Sequence, residues 1–292
     1  MKIGLLDVDG HNFPNLPLMK ISAWHKRNGD DVEKFILLLE YDKVYISKVF
    51  TFTSDYEAVI RAGEIIKGGT GYGLNNKLPD EIEHIYPDYS LYPQYPEAYG
   101  FLTRGCPRNC KFCIVAEKEG CHSQKVADLD EFWNNQKTIK LLDPNLLACK
   151  DRENLLEQLA DSKAYIDFTQ GLDIRFMTED IAKLISNTKV KMIHFAWDNP
   201  KDSLEVSFEK FRAMSTLRFD KLRVYVLVNF DTTIDEDLYR IYTLRQLGYD
   251  PFVMVYDRQN ASRETKDLQR WVNNKWVFRS CKRFEDYNRK IG

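Results

Sequence analysis

Cysteine is missing from the first 105 of the 292 residues, glycine and proline together number only 24, and neither charge sign dominates. So few glycines and prolines exclude collagen-like and low-complexity chains. No apolar run approaches the roughly 18 residues of a membrane-spanning helix. Met1 leads straight into an apolar pattern with no signal-peptide architecture, so a cytoplasmic protein without membrane contact is expected. The 42 Lys and Arg against 44 Asp and Glu leave a net charge of −2, which provides no global positive field for nucleic acid, and any such contact has to be local. The length suits two ordinary domains.

What is present is a rhythm of strands and helices. Residues 1–90 read as a small Rossmann-like parallel α/β domain, with a strand at 2–8, an amphipathic stretch at 16–26, apolar runs at 32–39 and 44–50 and a helix at 56–66. Residues 79–96 hold four prolines and read as a connector. Beyond it, strands are expected at 98–103, 138–142, 165–169, 190–195, 222–228 and 252–256. Helices are expected at 151–162, 178–186, 204–214 and 235–247, the last closed by Gly248. Strands alternating with helices imply right-handed crossovers and a parallel sheet. Six units fall short of a closed eight-stranded barrel, so the fold class is α/β with a partial (β/α)6 barrel over 91–256 whose site lies at the strands' carboxyl ends.

Two further segments carry open readings. Gly68-Gly69-Thr70-Gly71-Tyr72-Gly73 is a tight turn or a phosphate cradle, and it lacks both the GxGxxG spacing and the GK[ST] ending. The tail at 257–292 carries ten Lys and Arg against five Asp and Glu, interleaved with Trp271, Trp276, Phe278, Phe284 and Tyr287. It is either a helix packing its aromatics inward or a contact for nucleic acid or another acidic partner.

The cysteines decide the chemistry. Three of the six fall within eight positions, as Cys106, Cys110 and Cys113, on a loop directly after the strand expected at 98–103. In a reducing compartment they are not expected to form disulfides. Three thiolates at this spacing can hold three corners of an iron–sulfur cubane, which leaves the fourth iron without a protein ligand. The alternative is a zinc site in which Cys121 or His122 supplies the fourth ligand, with the tail binding nucleic acid and no turnover. Cys121, Cys149 and Cys281 read as buried small hydrophobes.

The run Cys106-Pro107-Arg108-Asn109-Cys110-Lys111-Phe112-Cys113, with an aromatic before the last cysteine, resembles the CxxxCxxC motif of radical S-adenosylmethionine (SAM) enzymes. The resemblance covers nearly the whole chain and is closest to members with a cobalamin-binding-like domain in front. Residues 15–32 look like that domain's proline, helix and glycine segment, and 44–47 and 66–69 like its later strands. Leu141-Leu142-Asp143-Pro144-Asn145 resembles the segment after the second barrel strand, and Gln170-Gly171-Leu172-Asp173-Ile174-Arg175 the end of the third. The resemblance implies one [4Fe-4S] cluster on Cys106, Cys110 and Cys113. It also implies SAM contacts from Phe112, Gln170, Arg175 and Asp198, where Asp198 stands at a position that often places a carboxylate near the SAM ribose. Asp in place of Glu there shortens the reach. Each has a plainer reading: Asp143 as a helix cap, Arg175 as a surface ion pair, Asp198 as the opening of the Asn199-Pro200 turn, and His194 as a satisfied core histidine.

Departures from the family narrow the function. A methylthiotransferase needs three more cysteines in its amino-terminal domain, and residues 1–105 have none. Only Cys149 and Cys281 follow residue 121, which disfavours carboxy-terminal auxiliary clusters. His11 falls near the family's Asp-x-His-x-x-Gly cobalamin pattern, but the glycine is missing and the domain is short for enclosing a corrinoid. The domain is therefore expected to keep the fold without stoichiometric cobalamin. The resemblance thus implies reductive cleavage of SAM to a 5′-deoxyadenosyl radical that modifies a substrate, with a flavodoxin or ferredoxin as electron donor. Nucleic acid or a peptide is the macromolecular substrate candidate through the basic tail. A degenerate member that holds the cluster without turnover is the remaining alternative.

Overall fold

The computed structural model describes residues 1–10 and 13–290. His11, the candidate cobalamin ligand, lies outside the described residues. The chain divides into two compact units, 1–140 and 141–292.

The first unit opens with β1 (Lys2–Asp7), α1 (Leu16–Arg27), β2 (Asp31–Lys34), β3 (Glu40–Ser47) and β4 (Arg61–Gly68). These strands form a parallel sheet in the order β2-β1-β3-β4. Helix α1 starts where sequence chemistry dictates, because the Asn15 side chain accepts the Leu18 N–H at 3.3 Å and Pro17 sits in the first turn, where its missing N–H costs nothing. The helix is followed by Gly29 at φ +81°. Leu18, Met19 and Ile21 of α1 cover Ile3 and Leu5 of β1, all of them buried.

The helix expected at 56–66 is not formed. Residues 61–68 are instead β4, paired with β3 from Glu40↔Arg61 to Ser47↔Gly68. A Cβ on Gly63 would stand 3.0 Å from the Asp42 carbonyl oxygen, so the close approach of β3 is what the glycine serves. The glycine loop that follows is a turn. Gly71 N–H donates to Lys48 O at 2.8 Å and Tyr72 N–H to Gly69 O at 3.1 Å, so these amides are used within the protein and do not face a phosphate.

The unit continues with α2 (Asp80–Glu83), β5 (Ala98–Gly100), β6 (Thr103–Arg104), α3 (Val115–Glu119), β7 (Gln124–Lys125) and β8 (Thr138–Leu141). The single strand expected at 98–103 is thus two strands. β5 belongs to the large sheet, whereas β6 pairs antiparallel with β7 through Thr103↔Lys125 and Arg104↔Gln124.

The second unit alternates regularly: α4 (Arg152–Asp161), β9 (Tyr165–Phe168), α5 (Glu179–Ser186), β10 (Lys189–Ala196), α6 (Glu205–Met214), β11 (Leu222–Val228), α7 (Ile234–Gln246), β12 (Asp250–Val255), α8 (Arg263–Asn273) and α9 (Lys275–Ser280). The large sheet runs in chain order, β12-β11-β10-β9-β8-β5, as a partial (β/α)6 barrel requires, and the neighbouring pairs β9–β10, β10–β11 and β11–β12 are parallel. Alternate residues of β10 and β11 (Ile193, Phe195, Val224, Val226) are fully buried; Phe195 meets Phe208 and Phe211 of α6 edge-on at 5.9 and 5.3 Å. Gly248 stands at φ +77° after α7, as the sequence predicts, and Thr178, expected as the first residue of its helix, is the N-cap of α5. In the tail Trp271 is fully buried against Phe278 and Phe284, while Trp276 is 82% exposed.

Candidate cofactor site

In the first unit the three-thiol loop joins β6 to α3. Gly105 begins it at φ +85°, and a Cβ there would lie 2.1 Å from the His122 carbonyl oxygen, so only glycine lets the returning chain pass. Cys106 N–H donates to Gly120 O at 3.1 Å and Cys113 N–H to Cys110 O at 2.9 Å, which fold the loop back onto its own base. That base is tied by Arg104, whose guanidinium reaches Glu119 at 2.9 Å and Glu83 at 3.4 Å and covers the Phe101 ring at 3.9 Å. Glu119 also accepts the Gly105 N–H at 3.3 Å. From α3, Lys118 donates to Thr70 Oγ1 at 2.9 Å, and its burial holds its pKa below the usual lysine value.

None of the six cysteines forms a disulfide; Cys106 and Cys110 are half-buried and Cys113 is exposed. Phe112 between them is half-buried. Cys149 is buried as expected, but Cys121 is exposed and Cys281 half-buried, because both lie in the returns after short helices and not on a core face. Among the described residues no three His, Cys, Asp or Glu side chains are gathered as a metal site. The chemistry of the loop nevertheless suits an iron–sulfur cluster: three soft thiol donors on one short segment, with the cationic Lys111 directly beside Cys110 in the chain.

In the second unit the remaining predicted residues lie just beyond β9 and β10. Gln170 is exposed. Its neighbour Gly171 stands at φ +124°, and Leu172 N–H donates to His194 O at 2.7 Å, which draws this segment across the end of β10. Arg175 is held from two sides, by Asp173 at 2.7 Å and Asp202 at 2.6 Å. Asn145 Nδ2 reaches Asp173 at 3.4 Å, and Trp197 Nε1 donates to the Asp202 carbonyl at 3.0 Å. Arg175 is therefore an element of a fixed network. Asp198 accepts the Leu227 N–H at 3.2 Å, and burial pushes its carboxyl up to about 6 despite that bond and nearby Arg240. His194 is buried, donates from Nδ1 to Phe168 O at 3.0 Å and stacks on Tyr225 at 5.0 Å; burial lowers its pKa, so it is a neutral core histidine.

Sequence reasoning missed Arg240. This fully buried cation on α7 donates to the carbonyls of Trp197 (2.6 Å), Asp198 (2.8 Å) and Leu227 (3.0 Å) and pairs with Asp237, thereby fixing the chain at the ends of β10 and β11. The available signal was its position on the helix face shared with Ile241 and Leu244, where a charge needs a buried partner.

A pH test follows for Asp198. The folded pKa lies above the ordinary value of 3.8, so the protonated carboxyl is the form that folding favours. Its contribution is fully present below about pH 4 and is lost as pH rises through about 6. Asp198→Asn keeps an acceptor for Leu227 and is expected to stabilise the fold at pH 7.5 by up to roughly 3 kcal/mol relative to wild type. The advantage should vanish near pH 4, as read by urea unfolding at both values. A pH-independent difference would show that Asp198 titrates normally.

No protein-family model and no curated protein matches the sequence. Solved structures do. The radical SAM methyltransferase TsrM from Kitasatospora setae, with cobalamin and a [4Fe-4S] cluster bound, superposes with a TM-score of 0.62 at 10% identity, covering 87% of this chain and 74% of that one. TsrM with tryptophan substrate and the SAM analogue aza-SAM gives 0.61 at 9% identity, covering 87% and 72%. A Rossmann-like parallel α/β region followed by six sequential barrel strands is common to both chains, and this protein thus has the fold of a radical SAM enzyme.

Proposed function

We propose that this chain is a cytoplasmic radical SAM enzyme in which Cys106, Cys110 and Cys113 hold one [4Fe-4S] cluster. The observation that carries the reading is the CxxxCxxC loop directly after β6, in a chain that shares its fold with TsrM. Such a cluster, when bound, supplies one electron for reductive cleavage of SAM to a 5′-deoxyadenosyl radical. The chain's own contribution is to hold and position. Cys106, Cys110 and Cys113 would hold the cluster through their thiolates, which as three donors to four irons would leave one iron for SAM. Phe112, Gln170, Arg175 and Asp198 are the proposed SAM contacts. Asp198, fixed by the Leu227 N–H and by the Arg240 bond to its own carbonyl, offers a carboxylate suited to vicinal ribose hydroxyls. A flavodoxin or ferredoxin is the proposed electron donor. Residues 1–90, 91–256 and 257–292 are the proposed domain, barrel and tail.

Anaerobic purification tests this reading. The protein should be brown, carry about four irons and four sulfides, and release 5′-deoxyadenosine with dithionite and SAM. The same preparation made with added cobalamin should show no stoichiometric corrinoid absorbance. A colourless zinc protein would overturn the cluster assignment, and an intact cluster that leaves SAM uncleaved would overturn the activity.

A further inference from the structure

The tail contains a second site of different character. Helix α8 buries Leu268, Trp271 and Val272 and presents Lys266, Gln269, Arg270 and Asn273 on another face, at the i, i+3, i+4, i+7 spacing of one helix stripe. Arg258 before the helix and Arg289 beyond α9 flank an open groove over this stripe, with a volume of about 540 Å³. Among the described residues, four cationic side chains and three amides line it, and no carboxylate does. Asp267 on α8 pairs with Arg263 at 3.6 Å and with the lining Arg289 at 3.1 Å, which offsets one of the four cations. Arg258 Nε donates to Gln269 Oε1 at 3.0 Å and Lys266 Nζ to the Gln259 carbonyl at 3.2 Å, both neutral acceptors that do not offset these two charges. At about 30 Å³ per water the volume exceeds what one small inorganic anion fills.

The ligand has to be polyanionic and long enough to run along the stripe. A second observation identifies its kind. Asn274, the last lining residue, caps α9 by accepting the Trp276 N–H at 3.2 Å, and the Trp276 side chain is 82% exposed. A cationic groove whose last lining residue stands two positions before an exposed indole suits phosphates along the cations and an unpaired base stacked on the ring. An acidic peptide would have no use for the indole. A membrane surface would need a broader apolar face, and α8 buries its own.

We propose that this groove binds the backbone of single-stranded nucleic acid, with Arg258, Lys266, Arg270 and Arg289 meeting phosphates and Trp276 stacking a base. The site is independent of cluster and SAM, so the test uses the full chain without iron, and either reading can fail alone. The probe is a fluorescein-labelled oligouridylate of twelve nucleotides, followed by anisotropy across a salt series. Wild type should bind, with affinity falling steeply with salt. An Arg258→Ala, Lys266→Ala double variant should weaken binding at low salt and reduce the slope of log K against log salt by about 1.4, or 0.7 for each phosphate no longer neutralised. Trp276→Ala should weaken binding roughly tenfold, leave the slope unchanged and abolish the quenching of tryptophan fluorescence on binding. Lys183→Ala, an exposed cation on α5, should behave as wild type. The proposal is overturned by absence of wild-type binding, by a slope indifferent to the double variant, or by polyglutamate or phosphatidylserine vesicles competing as well as unlabelled oligouridylate.

Discussion

A Cys106→Ala, Cys110→Ala, Cys113→Ala triple variant, purified without oxygen and supplied with iron and sulfide, is expected to stay colourless and to release no 5′-deoxyadenosine with dithionite and SAM. The loss should be complete, because three thiolates are the whole protein ligand set for a cluster with one open iron. It should also be separable from misfolding. Cys113 is exposed and Cys106 and Cys110 are only half-buried, so truncating three small side chains should change stability by no more than about 1 kcal/mol each. Equal thermal unfolding curves for the variant and the metal-free wild type check this. Cys121→Ala and His122→Ala serve as controls, because each is a candidate fourth ligand only in a zinc site. Iron, sulfide and nucleoside release should survive both. Stoichiometric iron and sulfide in the triple variant would end the cluster assignment; zinc content that depends on Cys121 or His122 would replace it.

The second large effect is expected in the fold itself. Arg240→Met removes a guanidinium that holds four carbonyls, those of Trp197, Asp198, Leu227 and Glu236, and leaves the Asp237 carboxylate, 4% exposed, without its cation. Breaking one side of a buried pair costs about 3–5 kcal/mol, which for a chain of this size corresponds to a fall in Tm of roughly 10 °C. The damage comes chiefly from the stranded acid, so an Arg240→Met, Asp237→Leu double variant should recover a substantial part of it. Thermal unfolding of the single and double variants decides. If the double variant is no more stable than the single, the lost carbonyl bonds outweigh the buried charge.

The large sheet was legible because its strands are buried apolar runs separated by amphipathic helices with ordinary stop signals. Gly248 beyond α7 needs no tertiary knowledge to be read. Residues 56–66 were not legible. A short apolar run fits helix and strand alike, and pairing along β3 settled it, with Gly63 as the overlooked sign. The split at 98–104 was likewise invisible, because β6 takes its partner from β7, twenty residues further on.

For the candidate site the division is similar. Sequence alone determined the candidate groups: three thiols at fixed spacing on one loop, an aromatic among them and a carboxylate after β10, since residue identity and separation along the chain are covalent facts. Tertiary structure decided the surroundings. It placed Arg175 between Asp173 and Asp202, gave Asp198 a buried setting that raises its pKa, and put Arg240 beneath the strand ends. It also turned Trp271 inward and Trp276 outward on neighbouring helices. Burial, and hence charge state and partner, depends on which elements fold over a residue, and no local pattern carries that information.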